Sequence, residues 1–155
     1  STGYFEEIEG IMVDYNLLQQ DRKKFICKIK KNNLTVFAGT VLCQGQLIES
    51  IYKTYFRTFS PFYLARALLV EKTKSYFLPA RKLRKYMKAN YKDLYKKIPL
   101  SFIINEEFVD YIPMGMLSCS SLDKNVEIIN NPIDKKITSK VSKWARKNCQ
   151  IKDLR

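Results

Sequence analysis

Alternating apolar and polar residues predict β-strands in the first third of the chain. Residues 4–15 alternate loosely, with Ile11, Val13 and Tyr15 on one side, and residues 25–30 set apolar side chains at every second position. Residues 34–43 are rich in β-branched and aromatic side chains. A period of two is typical of strands with one buried face. Polar segments at 16–24 and 30–33 separate these stretches and are predicted to be turns. Together they predict an antiparallel meander of three strands.

A period of three to four residues replaces the alternation after residue 45. Between residues 45 and 59 apolar side chains recur at this spacing, while Glu49, Lys53 and Arg57 fall on the opposite face. The spacing predicts an amphipathic helix with a wide apolar face. Residues 62–70 are apolar nearly all round, so the period leaves helix and strand open, and their alanine and leucine content favours a helix.

The stretch from Pro79 to Pro99 predicts a helix over residues 79–98. Pro79 suits the first turn of a helix, and Pro99 suits the point where a helix stops. One mostly apolar stripe runs along this helix and comprises Leu83, Tyr86, Met87, Asn90, Leu94 and Ile98. Most of the other positions are cationic, so this segment is the predicted basic helix.

The last third of the chain mixes short apolar segments with turn residues. Residues 100–104 and 108–112 are predicted to be short strands, and residues 126–129 are a candidate third strand. Residues 137–150 have apolar side chains at helical spacing and predict a basic C-terminal helix, with Thr138 or Ser139 as its N-cap.

These elements predict an α+β fold in one compact domain over residues 1–155. Its antiparallel sheet would combine the N-terminal meander with the later short strands, and amphipathic helices would pack on that sheet. Because the chain starts with Ser rather than Met, we interpret it as an excised domain of a larger protein. No apolar run reaches the length of about 18 residues that a membrane span needs, so none is predicted.

The charge of the chain is strongly positive and unevenly distributed. The formal net charge is +13, from 28 Lys and Arg against 15 Asp and Glu. Residues 1–20 are acidic and contain no cation, so residues 21–155 carry +17. A balance of this kind indicates polyanionic partners, with nucleic acid first and an acidic protein or an anionic membrane surface second.

The predicted basic helix segregates its charges more than solubility requires. Between Arg81 and Lys97 there are eight cations and a single anion, Asp93. Several cations repeat at a spacing of four residues, where like charges repel by a few tenths of a kcal/mol, and a polyanion would relieve that repulsion. The alternative is a solubilising lysine face. The candidate phosphate contacts in this segment are Arg81, Arg84, Lys85, Lys88, Lys92 and Lys96.

The C-terminal segment adds a second group of candidate phosphate contacts around the single Trp. These residues are Lys140, Lys143, Arg146 and Lys147. Aromatic rings among cations are typical of single-stranded nucleic-acid binding, in which rings stack on bases. The candidate stacking residues are Tyr91, Tyr95 and Trp144. Each also fits the ordinary alternative of an aromatic residue in the core or at its margin.

Catalysis has little support in the sequence. The chain contains no His and no glycine-rich phosphate loop, so no catalytic residue, metal ligand set or cofactor is predicted. A metal-dependent nuclease is the less favoured alternative, with Glu9, Asp14 and Asp21 as its nearest carboxylates. The four cysteines show no paired spacing and are interpreted as free thiols, which indicates an intracellular, reducing compartment, nuclear or cytoplasmic.

The sequence therefore predicts a nucleic-acid-binding domain that contacts mainly phosphates, and it leaves DNA or RNA, and single or double strand, open. The alternative is a protein-interaction module of a larger assembly that binds an acidic partner. Phosphate binding predicts that the two basic segments form one exposed patch. Partner binding predicts an exposed apolar patch of several hundred Å², on the aromatic face of residues 52–59.

Overall fold

The computed structural model describes residues 8–50, 53, 65, 69–116, 118–149 and 151. Within them the chain forms an α+β fold with two strands and five helices. In chain order these are β1 (Gly10–Asp14), α1 (Lys23–Lys30), β2 (Thr35–Gly39), α2 (Glu71–Asn90), α3 (Ile98–Ile104), α4 (Cys119–Asn130) and α5 (Lys135–Asn148). None of the described helices combines the length and apolar character needed to cross a bilayer.

The sheet is parallel, so the predicted antiparallel sheet is wrong. β1 and β2 pair in register from Gly10 opposite Thr35 to Asp14 opposite Gly39. The segment between them, predicted as a strand at 25–30, is the helix α1. A helical crossover of this kind carries the chain back to the starting edge, which is what two parallel neighbouring strands require.

Helix α1 explains why the alternation at residues 25–30 was misleading. Ile26 and Ile29, three residues apart, are its buried side chains. Phe25, which the strand pattern placed inside, is 58% exposed. A stretch of six residues fits both a period of two and a period of 3.6. Here the burial of Ile26 and Ile29 shows that the helical period is the correct one.

The segment 16–20, predicted to be part of a polar turn, lies in the protein interior. Asn16 and Leu17 are completely buried, and Gln19 and Gln20 are nearly so. The Asn16 side-chain oxygen accepts hydrogen bonds from the backbone N–H groups of Leu18 and Gln19, at 2.9 and 3.1 Å. This buried loop, residues 16–20, satisfies its polar groups internally, which is what permits such a segment to be buried.

Three further strand predictions are wrong. Residues 100–104 belong to helix α3, whose residues from Ile98 to Ile103 are all buried. Residues 126–129 lie in helix α4. The segment 108–112 contributes one isolated bridge, from Tyr111 to Phe37, rather than a strand. Short apolar runs carry no usable period, and α3 is apolar because it is surrounded by protein on all sides.

The predicted helix over residues 79–98 is two elements. Helix α2 begins at Glu71, runs through Pro79 and ends at Asn90. Tyr76 and Ala80 on either side of Pro79 are both completely buried, so the apolar stripe continues across a residue that costs the helix one hydrogen bond. Residues 91–97 then form turns, and Pro99 lies in the first turn of α3 instead of ending a helix.

The core joins the N-terminal elements to the last helices. Tyr15, which follows β1, stacks on Phe102 of α3 with ring centroids 5.7 Å apart and meets the Phe108 ring edge-on at 5.3 Å. Helix α3 in turn contacts α4 and α5. The predicted helices at 45–59 and 62–70 lie largely outside the described residues, and residues 41–48 form turns.

Candidate nucleic-acid interface

Helices α2 and α5 lie side by side. Tyr86 of α2 and Trp144 of α5 stack face to face, with ring centroids 3.9 Å apart and planes 6° apart. One turn earlier on α2, the Lys82 Nζ donates a hydrogen bond of 3.1 Å to the carbonyl oxygen of Asn148, one turn later on α5. The two helices therefore run antiparallel, and the predicted basic segments are neighbours.

Each helix buries one side in the common core. The completely buried positions of α2 recur at intervals of four, three and four residues, and the buried positions of α5 cluster in the same way. These side chains are Tyr76, Ala80, Leu83 and Met87 on α2, and Thr138, Val141, Ser142 and Ala145 on α5. Because an α-helix has 3.6 residues per turn, the residues on the opposite side of each helix point away from the core.

Most residues on this outward side are cationic in the C-terminal half of α2 and along α5, whereas Leu78, earlier on the same face of α2, is 69% exposed. We call Arg81, Lys85 and Lys88 the α2 row, and Lys136, Lys140, Lys143 and Lys147 the α5 row. All seven side chains are exposed. Lys136 was absent from the sequence-based candidates, although its spacing of four residues from Lys140 placed it on the same face. The Tyr86–Trp144 stack lies between the two rows.

The buried loop 16–20 holds both helices in place. The Gln19 side-chain oxygen accepts a hydrogen bond of 2.7 Å from the Tyr76 hydroxyl on α2. The Gln20 side-chain oxygen accepts one of 2.7 Å from the Ser142 hydroxyl on α5 and one of 3.1 Å from Arg146 Nη2. Burial raises the pKa of Tyr76 to about 12, so its hydroxyl stays a hydrogen-bond donor at neutral pH.

Two of the arginines predicted to contact phosphate are engaged within the fold. Arg84 is half-buried, and its Nη1 donates to the carbonyl oxygens of Gln46 and, at 2.9 Å, of Glu49. Burial lowers the pKa of Arg84. Arg146 is exposed but donates to Gln20, as described above. Arg84 lies four residues after Ala80 and three before Met87, both of the buried stripe, and this helical spacing was the available signal that it belongs to the flank of the core.

The predicted stacking residues all have partners within the chain. Tyr91 lies edge-on to Tyr86, with centroids 6.5 Å apart. The Lys88 and Lys96 ammonium groups lie 5.0 and 5.9 Å from the centroid of the Tyr95 ring. Trp144, which the sequence left between core and surface, is partly buried against Tyr86.

Lys92 and Lys96 extend the basic surface beyond the end of α2. Both are exposed and lie in the turn segment 91–97. They are therefore near the α2 row in sequence, but they do not share its helical face.

The acidic residues neutralise other lysines. In the part of the chain that the structure describes, the ion pairs join Lys23 to Glu106, Lys30 to Asp110, Lys97 to Glu127 and Lys135 to Glu107, at 2.5 to 3.0 Å. Hydrogen bonds from Lys30 and from the Val36 backbone N–H lower the pKa of Asp110. None of these pairs uses a cation of the α2 row or the α5 row, so no carboxylate with a described position neutralises the rows.

Comparison with known proteins assigns no function to the chain, so a proposed function must be argued from its own residues. No model of a known protein family matches the chain, and no curated protein matches it significantly. Among the residues with described positions, no three His, Cys, Asp or Glu side chains come together as a metal site would require. The carboxylate of Asp14, one of the nuclease candidates, accepts a hydrogen bond of 3.0 Å from the Thr40 hydroxyl.

Proposed function

We propose that this protein binds nucleic acid through the phosphate backbone, using the α2 row and the α5 row as one surface. The observation that carries the proposal is the antiparallel contact between the two helices, fixed by the Tyr86–Trp144 stack and the Lys82–Asn148 hydrogen bond. It supports the condition that phosphate binding requires, namely that the two basic segments lie together.

The charge of the rows, which no described carboxylate pairs with, gives the proposal its energetic basis. Seven exposed cations lie on two adjacent helices. Helix α2 has no acidic residue between Arg81 and Lys88. Binding a polyanion releases its condensed counterions, which favours binding at low salt. Added salt reduces this gain, so log K falls by about 0.9 per phosphate contact for each tenfold rise in salt. With about six contacts, we expect a slope of about −5. Nothing in the rows identifies a base-reading group, so the expected binding is largely independent of sequence.

Fluorescence anisotropy with labelled DNA and RNA, at about 50 and 200 mM salt, tests this function. The double variant Lys85→Glu/Lys88→Glu should weaken binding and reduce the salt slope by about 2, since two phosphate contacts are lost. Arg84 is unsuitable for substitution here because it also supports the fold. The matched control is Lys24→Glu/Lys28→Glu on α1, which changes the net charge equally at exposed positions outside the rows. Equal loss in both variants would contradict a localised site.

An interaction with an acidic protein is the second candidate function, and one observation favours it. Helix α4 exposes an apolar stripe at a spacing of four and three residues, formed by Leu122, Val126 and Ile129, which are 44 to 51% exposed. In this alternative the rows would meet the carboxylates of the partner, and the α4 stripe would supply apolar contact. The aromatic face predicted for this role, residues 52–59, lies outside the described residues apart from Lys53.

Polyglutamate separates the two functions. It matches nucleic acid in sign and in repeated charge but offers carboxylates in place of phosphates. Binding of duplex DNA with little binding of polyglutamate at equal charge supports the nucleic-acid function. Equal or stronger binding of polyglutamate supports the interaction module.

A further inference from the structure

We infer that the two rows take a double helix rather than a single strand of nucleic acid. This inference rests on the proposed function and names its substrate class. The sequence alone favoured neither form, because tyrosines among lysines are also what single-strand binders use. The contacts of those aromatic rings, and the layout of the cations around them, favour the duplex.

The aromatic rings near the two rows already contact other side chains of the protein. A ring separation of 3.9 Å between Tyr86 and Trp144 is close to van der Waals contact, so a base cannot enter between them. Tyr91 lies against the same pair, and Tyr95 has Lys88 and Lys96 beside its ring. The Tyr86–Trp144 contact joins α2 to α5, and the Tyr95 ring holds Lys88 and Lys96 beside it.

Stacking a base on these rings would therefore exchange one contact for another. The aromatic pair and the cations beside a ring are contacts of the same order of strength as the gain from one stacked base. Much of that gain is lost if an existing contact must first be broken, so the single strand loses its usual advantage.

The cations form two lines, which suits two backbones. At a rise of 1.5 Å per residue, the α5 row extends over about 16 Å and the α2 row over about 10 Å. Packed helices have axes about 8–10 Å apart, and lysine and arginine side chains on their outward faces add to that spacing, so the two rows can reach across a B-DNA major groove of about 12 Å. Two strands that border one groove can thus meet both rows, one strand to each row.

The test compares duplex and single-stranded DNA of about 20 nucleotides by anisotropy across a salt series, with the intrinsic emission of Trp144 as the second readout. Trp144 is the sole Trp in the chain, so its emission reports this position alone. We expect the duplex to bind at least tenfold more tightly, with little change in Trp144 emission in either complex. We also expect Lys140→Glu/Lys143→Glu and Lys85→Glu/Lys88→Glu each to lower the duplex affinity.

The outcomes distinguish a failure of the duplex inference from a failure of the proposed nucleic-acid binding. Tighter binding of the single strand, accompanied by strong quenching of Trp144, would overturn the inference and leave nucleic-acid binding intact. Duplex binding that depends on one row only would also overturn it. Absence of binding to both DNA forms and to RNA would overturn the proposed function itself. Trp144→Phe, which keeps a ring against Tyr86, should retain the duplex affinity within about twofold and checks that no base stacks there.

Discussion

Replacing Gln20 with Leu should destabilise the protein by about 3 kcal/mol. The Gln20 side chain is 3% exposed and makes four hydrogen bonds. Its Nε2 donates to the carbonyl oxygens of Leu17 and Ser142 at 2.8 and 3.2 Å, and its Oε1 accepts from the Ser142 hydroxyl and from Arg146. Leucine has a similar size and removes all four bonds. The variant therefore tests the polar contacts of the loop with little change in packing.

The magnitude follows from the groups left behind. The Leu17 carbonyl and the Ser142 hydroxyl are buried, and each costs about 1–3 kcal/mol when its partner is removed. The Arg146 side chain is exposed and can turn to water. Burying the apolar leucine side chain returns about 1 kcal/mol. For a chain of this size a loss of 3 kcal/mol lowers Tm by about 6–12 °C.

Urea unfolding followed by circular dichroism and by Trp144 fluorescence measures this loss. The matched variant is Ser142→Ala, which removes one of the bonds and should cost about 1 kcal/mol. Because the two residues share a bond, the double variant should lose less than the sum of the single losses. A loss below about 1 kcal/mol for Gln20→Leu would refute the view that the buried loop holds α5 in place.

Three further predictions concern single contacts. Arg84→Met should cost about 1–3 kcal/mol of stability, because the carbonyl oxygens of Gln46 and Glu49 lose the hydrogen bonds from Arg84. The salt slope of DNA binding should stay unchanged, and a changed slope would mean that Arg84 contacts the phosphates. Asp110→Asn should lower stability by about 0.5–1 kcal/mol at pH 7 by removing the ion pair with Lys30. Since the folded pKa of Asp110 is lowered, its contribution is fully present above the unfolded pKa of about 3.9 and is lost as the pH falls through the folded value. Urea unfolding at about pH 7 and pH 3 should therefore show a smaller difference at the lower pH, and a constant difference would argue against the ion pair. Tyr86→Leu should cost about 0.5–1.5 kcal/mol and shift the Trp144 emission to longer wavelength, because the indole gains contact with water, whereas an unchanged spectrum would mean that the stack does not persist in solution.

The sequence predicted the parts of the fold that have a long, clear period. Leu83 and Met87 of the predicted stripe are buried as expected, whereas Asn90 and Leu94 of the same stripe are exposed. The C-terminal helix is present, as Lys135–Asn148. Its N-cap is Asp134 rather than Thr138 or Ser139, since the helix begins two residues earlier than the apolar spacing indicated. For α2 and α5, the two described helices that were predicted, the local pattern indicated the buried side better than the ends.

The errors share a physical cause, which is that the period of a short segment does not show what surrounds it. The run from Ile98 to Ile103 is apolar because α3 is enclosed, and enclosure removes the polar face that would reveal a helical period. The polar residues Asn16 and Gln20 were assigned to a surface turn, yet their partners Thr40 and Ser142 lie far away in sequence. Only the tertiary structure provides those partners.

The same limit applies to the candidate site. Charge counting found the rows but could not separate Arg84, which is held by the fold, from Lys85, which faces solvent. It also could not show that Tyr86 and Trp144 stack on each other, because nothing local links two residues on different helices. The contact between the helices is therefore information that the structure adds.

The long separation between Gln20 and its partners affects how the chain is made. The hydrogen bonds from Gln20 to Ser142 and Arg146 join residues 122 and 126 positions apart. At a synthesis rate of about 5–20 residues per second, Gln20 emerges from the ribosome about 6 to 24 seconds before Ser142 does. During that interval the side-chain oxygen of Gln20 lacks its partners on α5 and must be hydrated. The N-terminal part of the protein therefore cannot complete its native structure until residues 142–146 have been translated.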